Sequence, residues 1–182
     1  MTLNKWFAKG MSPETYIENM QQHKENLQHI YEHFNIPDDE RLETLADRPS
    51  RVIVLTEDWC GDAMVNVPIL LHIAEKTNMD VSMLLRDSNL ELMDQYLTNG
   101  KSRSIPIFIF LDENGNEVAK WGPRAPEVQA KVDGLFSNLP AKDAPDYEEK
   151  WKATLSALTQ MFREDEKVRN DVYESIINTL VK

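Results

Sequence analysis

Cysteine is nearly absent from this sequence: Cys60 is the only one in 182 residues. A single thiol excludes any intrachain disulfide, and it excludes structural zinc sites built on several thiolates. Long apolar runs are missing too. No stretch approaches eighteen consecutive hydrophobic residues, so neither a membrane span nor a membrane partner is expected. The amino terminus, Met1 to Gly10, lacks the apolar run and cleavage site of a secretory signal. With one thiol and no such signal, a reducing cytoplasm is the expected compartment. Positive charge is scarce: 20 Lys and Arg stand against 31 Asp and Glu, a formal net charge of -11. That argues against nucleic acid as the main partner, because phosphate binding needs clustered Lys and Arg. No internal repeat, low-complexity segment, phosphate-binding glycine loop or nucleophile elbow stands out.

What is present reads as one domain in three parts. Residues 1–49 have a helical pattern. Ser12-Pro13-Glu14 is a helix start, with a capping hydroxyl, a first-turn proline and an acid at the positive end of the dipole. Tyr16, Met20, Leu27, Ile30, Tyr31 and Phe34 then predict a helix running to Asn35-Ile36-Pro37. A shorter helix starts at Asp38 or Asp39 and carries Leu42, Leu45 and Ala46.

Residues 50–136 change character. Val52-Ile53-Val54-Leu55 is a short continuous apolar run, expected of a strand buried on both faces. A helix from Cys60 to about Thr77 follows, then a strand over Val81–Leu85 and a helix marked by Leu90, Met93, Tyr96 and Leu97. Ile105–Leu111 reads as a third strand, and Asp112 to Asn116 as a turn. Glu117–Trp121 returns as a fourth strand, and Val128, Val132, Leu135 and Phe136 mark a closing helix. The first two strands should be parallel, joined by a right-handed crossover. Residues 137–182 return to helix, with Trp151, Leu155, Leu158 and Phe162 lining one and Val168, Val172, Ile176 and Leu180 the next.

Cys60 sits between the first strand and its helix, where open α/β sheets bind ligands. A cysteine there faces unpaired backbone N–H groups and the positive end of the dipole, and both favour the nucleophilic thiolate. A buried, inert cysteine is the competing reading. His29 and His33, four apart, have no third ligand in sight, so a solvated helix face explains them and no metal is expected. Trp6, Trp121 and Trp151 read as packing residues, and Trp59, beside the cysteine, as partly exposed.

Trp59-Cys60-Gly61-Asp62-Ala63, followed by Pro68, resembles the active-site segment of the thioredoxin family, which carries Trp-Cys-Gly-Pro-Cys and then a proline five residues later. Arg103-Ser104-Ile105-Pro106 resembles the family segment that sets a cis proline opposite the cysteine. Gly122 resembles a family glycine that admits substrate. The likeness covers roughly residues 50–136. It implies a thioredoxin-like α/β fold: a central mixed sheet of about four strands flanked by helices, here with helical extensions at both ends. It also implies Cys60 as nucleophile and Trp59, Gly61, Ile105, Pro106 and Gly122 as the substrate surface.

Three departures bear on function. Ala63 stands where the second cysteine belongs, so release of a mixed disulfide would need an external low-molecular-weight thiol. Val54 stands where the family keeps a buried aspartate for proton transfer. Glu57, Asp58 and Asp62 bring negative charge near Cys60 and oppose the thiolate. Two functions follow as expectations. One is monothiol exchange with a protein disulfide or a small-thiol mixed disulfide, with no cofactor. The other is a redox-inactive module that uses the groove to bind protein or peptide.

Overall fold

The computed structural model describes residues 1–182. Four strands form one mixed sheet in the order β2-β1-β3-β4: β1 (Arg51–Thr56), β2 (Asp80–Leu85), β3 (Ile107–Leu111) and β4 (Glu117–Trp121). β1 pairs parallel with β2 and antiparallel with β3, and β3 pairs antiparallel with β4. Val52, Ile53, Val54 and Leu55 are fully buried, as their unbroken apolar run requires. Each such side chain withdrawn from water contributes about 1.5–3 kcal/mol.

The amino-terminal region has the expected short helix after Asp39, but the long helix expected from Ser12 to Phe34 is two helices, and a further one precedes it. It contains α1 (Leu3–Lys9), α2 (Pro13–Asn19), α3 (Lys24–His33) and α4 (Glu40–Thr44). Ser12 caps α2 and Asp39 caps α4. The chain breaks between α2 and α3, where Met20 ends one helix in an extended conformation and His23 adopts a left-handed one at φ 60°. Met20 and Leu27 are both buried, so their seven-residue spacing is met by two helices turned into one core.

α5 (Gly61–Thr77) follows β1, and twelve of its seventeen residues are buried. Such a helix is covered on nearly every side. α3, α8 (Tyr147–Glu164) and α9 (Glu166–Leu180) all pack against it. Pro68 lies inside α5. After β2 come a single 3-10 turn and the short α6 (Leu90–Met93), so Tyr96 and Leu97 fall outside the expected helix. Pro106 precedes β3 rather than joining it, and α7 (Pro126–Phe136) closes the central region. Val168, Val172 and Ile176 on α9 are fully buried, so their four-residue spacing faces the protein interior. Arg169 donates to the Arg163 carbonyl at the end of α8, where a cation suits the negative end of the dipole. No helix is long and apolar enough to cross a membrane.

Candidate functional site

Cys60 is the N-cap of α5, with extended backbone at φ -81° and ψ 119°. The position turns its sulfur back over the first turn, where the Ala63 N–H donates to Sγ at 3.4 Å. On the other side Sγ donates to the Ile105 carbonyl oxygen at 3.4 Å. The Ile105–Pro106 bond is cis. The cysteine and the segment forty-five residues away therefore meet at the carboxyl end of β1.

The thiol is 8% exposed, and burial pushes it up to about 11 from an ordinary value of 9.0. The Ala63 and Asp62 amides and the Arg124 charge pull the other way, while the Asp62 charge adds to the rise. The Ile105 carbonyl can accept only from a protonated sulfur, so that contact too belongs to the neutral thiol. The helix start alone suggests a favoured thiolate; desolvation reverses the balance in the resting protein.

The three nearby carboxylates have separate fates. Asp62 pairs with Arg124 through two bonds of 2.6 and 3.0 Å. Burial raises its carboxyl and the Arg124 contact draws it back down. Glu57 is buried and accepts from the Asp87 N–H at 2.9 Å. Asp58 accepts from the Gln21 N–H at 2.8 Å, which ties the α2–α3 break to the site. Of the three, Asp62 acts most directly on the sulfur.

Trp59 is 44% exposed, with the Arg86 guanidinium 5.0 Å from its ring centroid. The pair forms the open shoulder of the site. Gly61 faces Phe162 of α8, whose ring would lie 3.9 Å from a Cβ placed there. Gly122 has φ +131°, and a Cβ on it would lie 2.1 Å from the Pro106 carbonyl oxygen. Its missing side chain thus lets the β4 end press against the cis-proline segment. Val54 lies fully buried in β1 between β2 and β3.

Other residues at this end had no local sequence signal. Tyr16 of α2 is buried, and its hydroxyl bonds the Thr56 hydroxyl at 3.1 Å. Asn66, buried in α5, donates to the Pro123 carbonyl at 2.8 Å and so links the helix to the segment after Gly122. Arg124 is the counter-ion of Asp62 across sixty-two residues. The expected solvated histidines stack on each other, with His29 against Glu164. No group of three His, Cys, Asp or Glu residues is placed to hold a metal ion.

A fold and a site of this kind define a class: a thioredoxin-like α/β protein in which the helix after the first strand opens on a cysteine beside a cis proline. The family profile described as Thioredoxin matches residues 10–142, and the chain belongs to that family. The match takes in α2 to α4, beyond the stretch that resembled the family by motif. No curated protein matches. Among solved structures, the chain is similar to a protein of unknown function from Pseudomonas aeruginosa. The two share 17% identity and a TM-score of 0.66, with 98% of each chain covered. It is also similar to an HIV epitope-scaffold, with 18% identity, a TM-score of 0.65, and 98% of this chain and 99% of that one covered. These likenesses extend through α8 and α9, so the terminal helices are part of the shared fold.

Proposed function

We propose that this protein carries out thiol–disulfide exchange through Cys60 alone, on a protein disulfide or a small-thiol mixed disulfide. The observation that carries the reading is the placement of Sγ between the Ala63 amide and the Ile105 carbonyl, at the cis proline. Cys60 loses its proton to solvent and its thiolate attacks one sulfur of the substrate disulfide. The substrate S–S bond breaks, a Cys60 mixed disulfide forms, and the departing thiolate takes up a proton. No second cysteine exists to resolve the adduct. A low-molecular-weight thiol, having lost its proton to solvent, attacks the outer sulfur instead; the bond to Cys60 breaks, the small thiol and the outer sulfur leave joined as a disulfide, and the Cys60 thiolate takes up a proton.

Activation follows from the same contacts. In the resting protein burial keeps the thiol neutral, and the neutral thiol donates to the Ile105 carbonyl. A substrate backbone N–H that takes this carbonyl removes the acceptor and leaves the Ala63 amide as the stronger partner. The substrate thereby lowers the cost of ionising the group that attacks it. A resting thiol near 11 is about one part in ten thousand thiolate at pH 7. Reaction with adventitious thiols and alkylating agents is correspondingly slowed.

A second reading, binding without turnover, draws on the same burial and on Ala63 in place of a resolving cysteine. A Cys60→Ser variant separates the two. Turnover of a peptide–small-thiol mixed disulfide, measured with excess small thiol, should be lost entirely while peptide affinity persists. Turnover retained in the variant would remove Cys60 from the mechanism, and no turnover in the wild type would leave the binding module.

A further inference from the structure

A large cavity lies away from Cys60, against the outer edge of β2. It measures about 850 Å³, within the range of small-molecule sites, and is enclosed by the α1–α2 segment, α3, α5 and β2. Its apolar lining includes Ile17, Leu27, Leu71, Met79 and Val81. Four carboxylate residues, Glu14, Glu32, Glu75 and Asp80, also line it, and all four are exposed at its rim. No Lys, Arg or His lines it, and none of these four carboxylates has an ion-pair partner.

Two further features point inward. The Tyr31 hydroxyl donates to Glu75 Oε1 at 2.6 Å and fixes that carboxylate at the mouth. The tyrosine is itself held up at about 12, first by that bond, then by burial and by the charges of Glu75 and Glu14. Glu14 and Glu75, on different helices, thus act on one point. On the β2 edge, Met83 exchanges both backbone hydrogen bonds with Met11. The antiparallel position opposite Val81 falls on Pro13, which has no N–H. The Val81 N–H and C=O therefore face the cavity without a partner from the chain.

We infer that this cavity binds a small organic cation, an ammonium or guanidinium group on an apolar body. The apolar lining takes the body, and Glu75 and Glu14 take the charge. An anion would meet only like charge. A bare metal ion is disfavoured because the carboxylates are spread around the rim and no three converge. An extended peptide is blocked at Met83, where Met11 already occupies the edge, so the occupant is compact.

The test compares three probes of similar shape on the whole protein by calorimetric titration: 2-phenylethylammonium, 2-phenylethanol and 3-phenylpropionate. The cation should bind saturably, about tenfold or more tighter than the alcohol, and weaken with salt; the carboxylate should not bind. A Glu14→Gln/Glu75→Gln double variant, checked for an unchanged unfolding midpoint, should lose the preference for the cation. A Leu71→Trp variant, which fills the apolar lining, should lose binding of both the cation and the alcohol. No binding by any probe, equal affinity for cation and alcohol, or an unchanged preference in the double variant would overturn the inference. Cys60 lies outside this cavity, so failure here leaves the exchange reading untouched.

Discussion

The two ends of the molecule use their charges in opposite ways. At the Cys60 end every carboxylate is committed inside the chain: Asp62 to Arg124, Glu57 to the Asp87 amide, Asp58 to the Gln21 amide. At the β2 edge Glu14, Glu32 and Asp80 are exposed and without ion pairs, above an apolar lining. The difference follows burial. A buried carboxylate must find a partner or protonate, whereas an exposed one is hydrated and can wait for a ligand. The Cys60 end thus holds its carboxylates within the fold, and the β2 edge leaves its own to solvent.

The largest expected effect comes from unsealing the first end. Phe162 is fully buried and faces Gly61. Phe162→Ala should lower unfolding stability by about 4 kcal/mol, read from denaturant midpoints. It should also hasten Cys60 alkylation under native conditions, because water gains access to the sulfur. Lost stability with unchanged alkylation would mean that Phe162 only fills space.

A smaller effect should come from leaving an unpaired charge at the sealed end, the condition the open end tolerates. Arg124→Gln strands Asp62, whose side chain is 15% exposed, and should cost about 2 kcal/mol given that residual hydration. The pH dependence has a definite sign. A carboxyl raised in the folded state stabilises the fold below its unfolded value of 3.8, and that contribution is lost as pH rises through the folded value. Without Arg124 the folded value rises further. The variant should therefore lose more stability than the wild type between about pH 4 and pH 7. Parallel pH profiles would show that Arg124 does not hold the Asp62 charge.

The smallest effect belongs to the open end. Glu32→Gln removes an exposed carboxylate with no ion-pair partner and should change stability by less than about 0.5 kcal/mol. A larger loss would mean that the rim charges serve the fold and would erase the contrast.

The sheet was legible because its strands are short apolar runs bounded by turn residues. Val52–Leu55 and Ile107–Leu111 have no other way to satisfy both faces and the backbone together. The Cys60 to Ile105 meeting was legible only through resemblance, since nothing local in Ile105-Pro106 points at a thiol. The break at Met20–His23 was hidden because periodicity reports buried faces and not the helix axis; a left-handed histidine leaves no pattern. The raised thiol was hidden for a different reason. Helix-terminus amides can be inferred from sequence order, but desolvation depends on how segments distant in sequence, Ile105 among them, close over the sulfur. The cavity joins α1–α2, α3, α5 and β2, and no window of sequence contains it.

In the proposed exchange, substrate contact with the Ile105 carbonyl switches on a thiol that burial keeps neutral at rest; the switch sets one class of disulfide apart from another. It is tested most directly by comparing two disulfides with matched leaving-group thiols. One is an extended peptide disulfide that offers backbone N–H groups; the other is a non-peptide disulfide that offers none. Rates of adduct formation at Cys60 would be followed by intact-protein mass across pH. The peptide disulfide should react faster at neutral pH. The non-peptide rate should climb with pH well past 8.5, toward the resting value near 11. Equal rates for the two disulfides, or a rate already level below pH 7 for the non-peptide one, would contradict it.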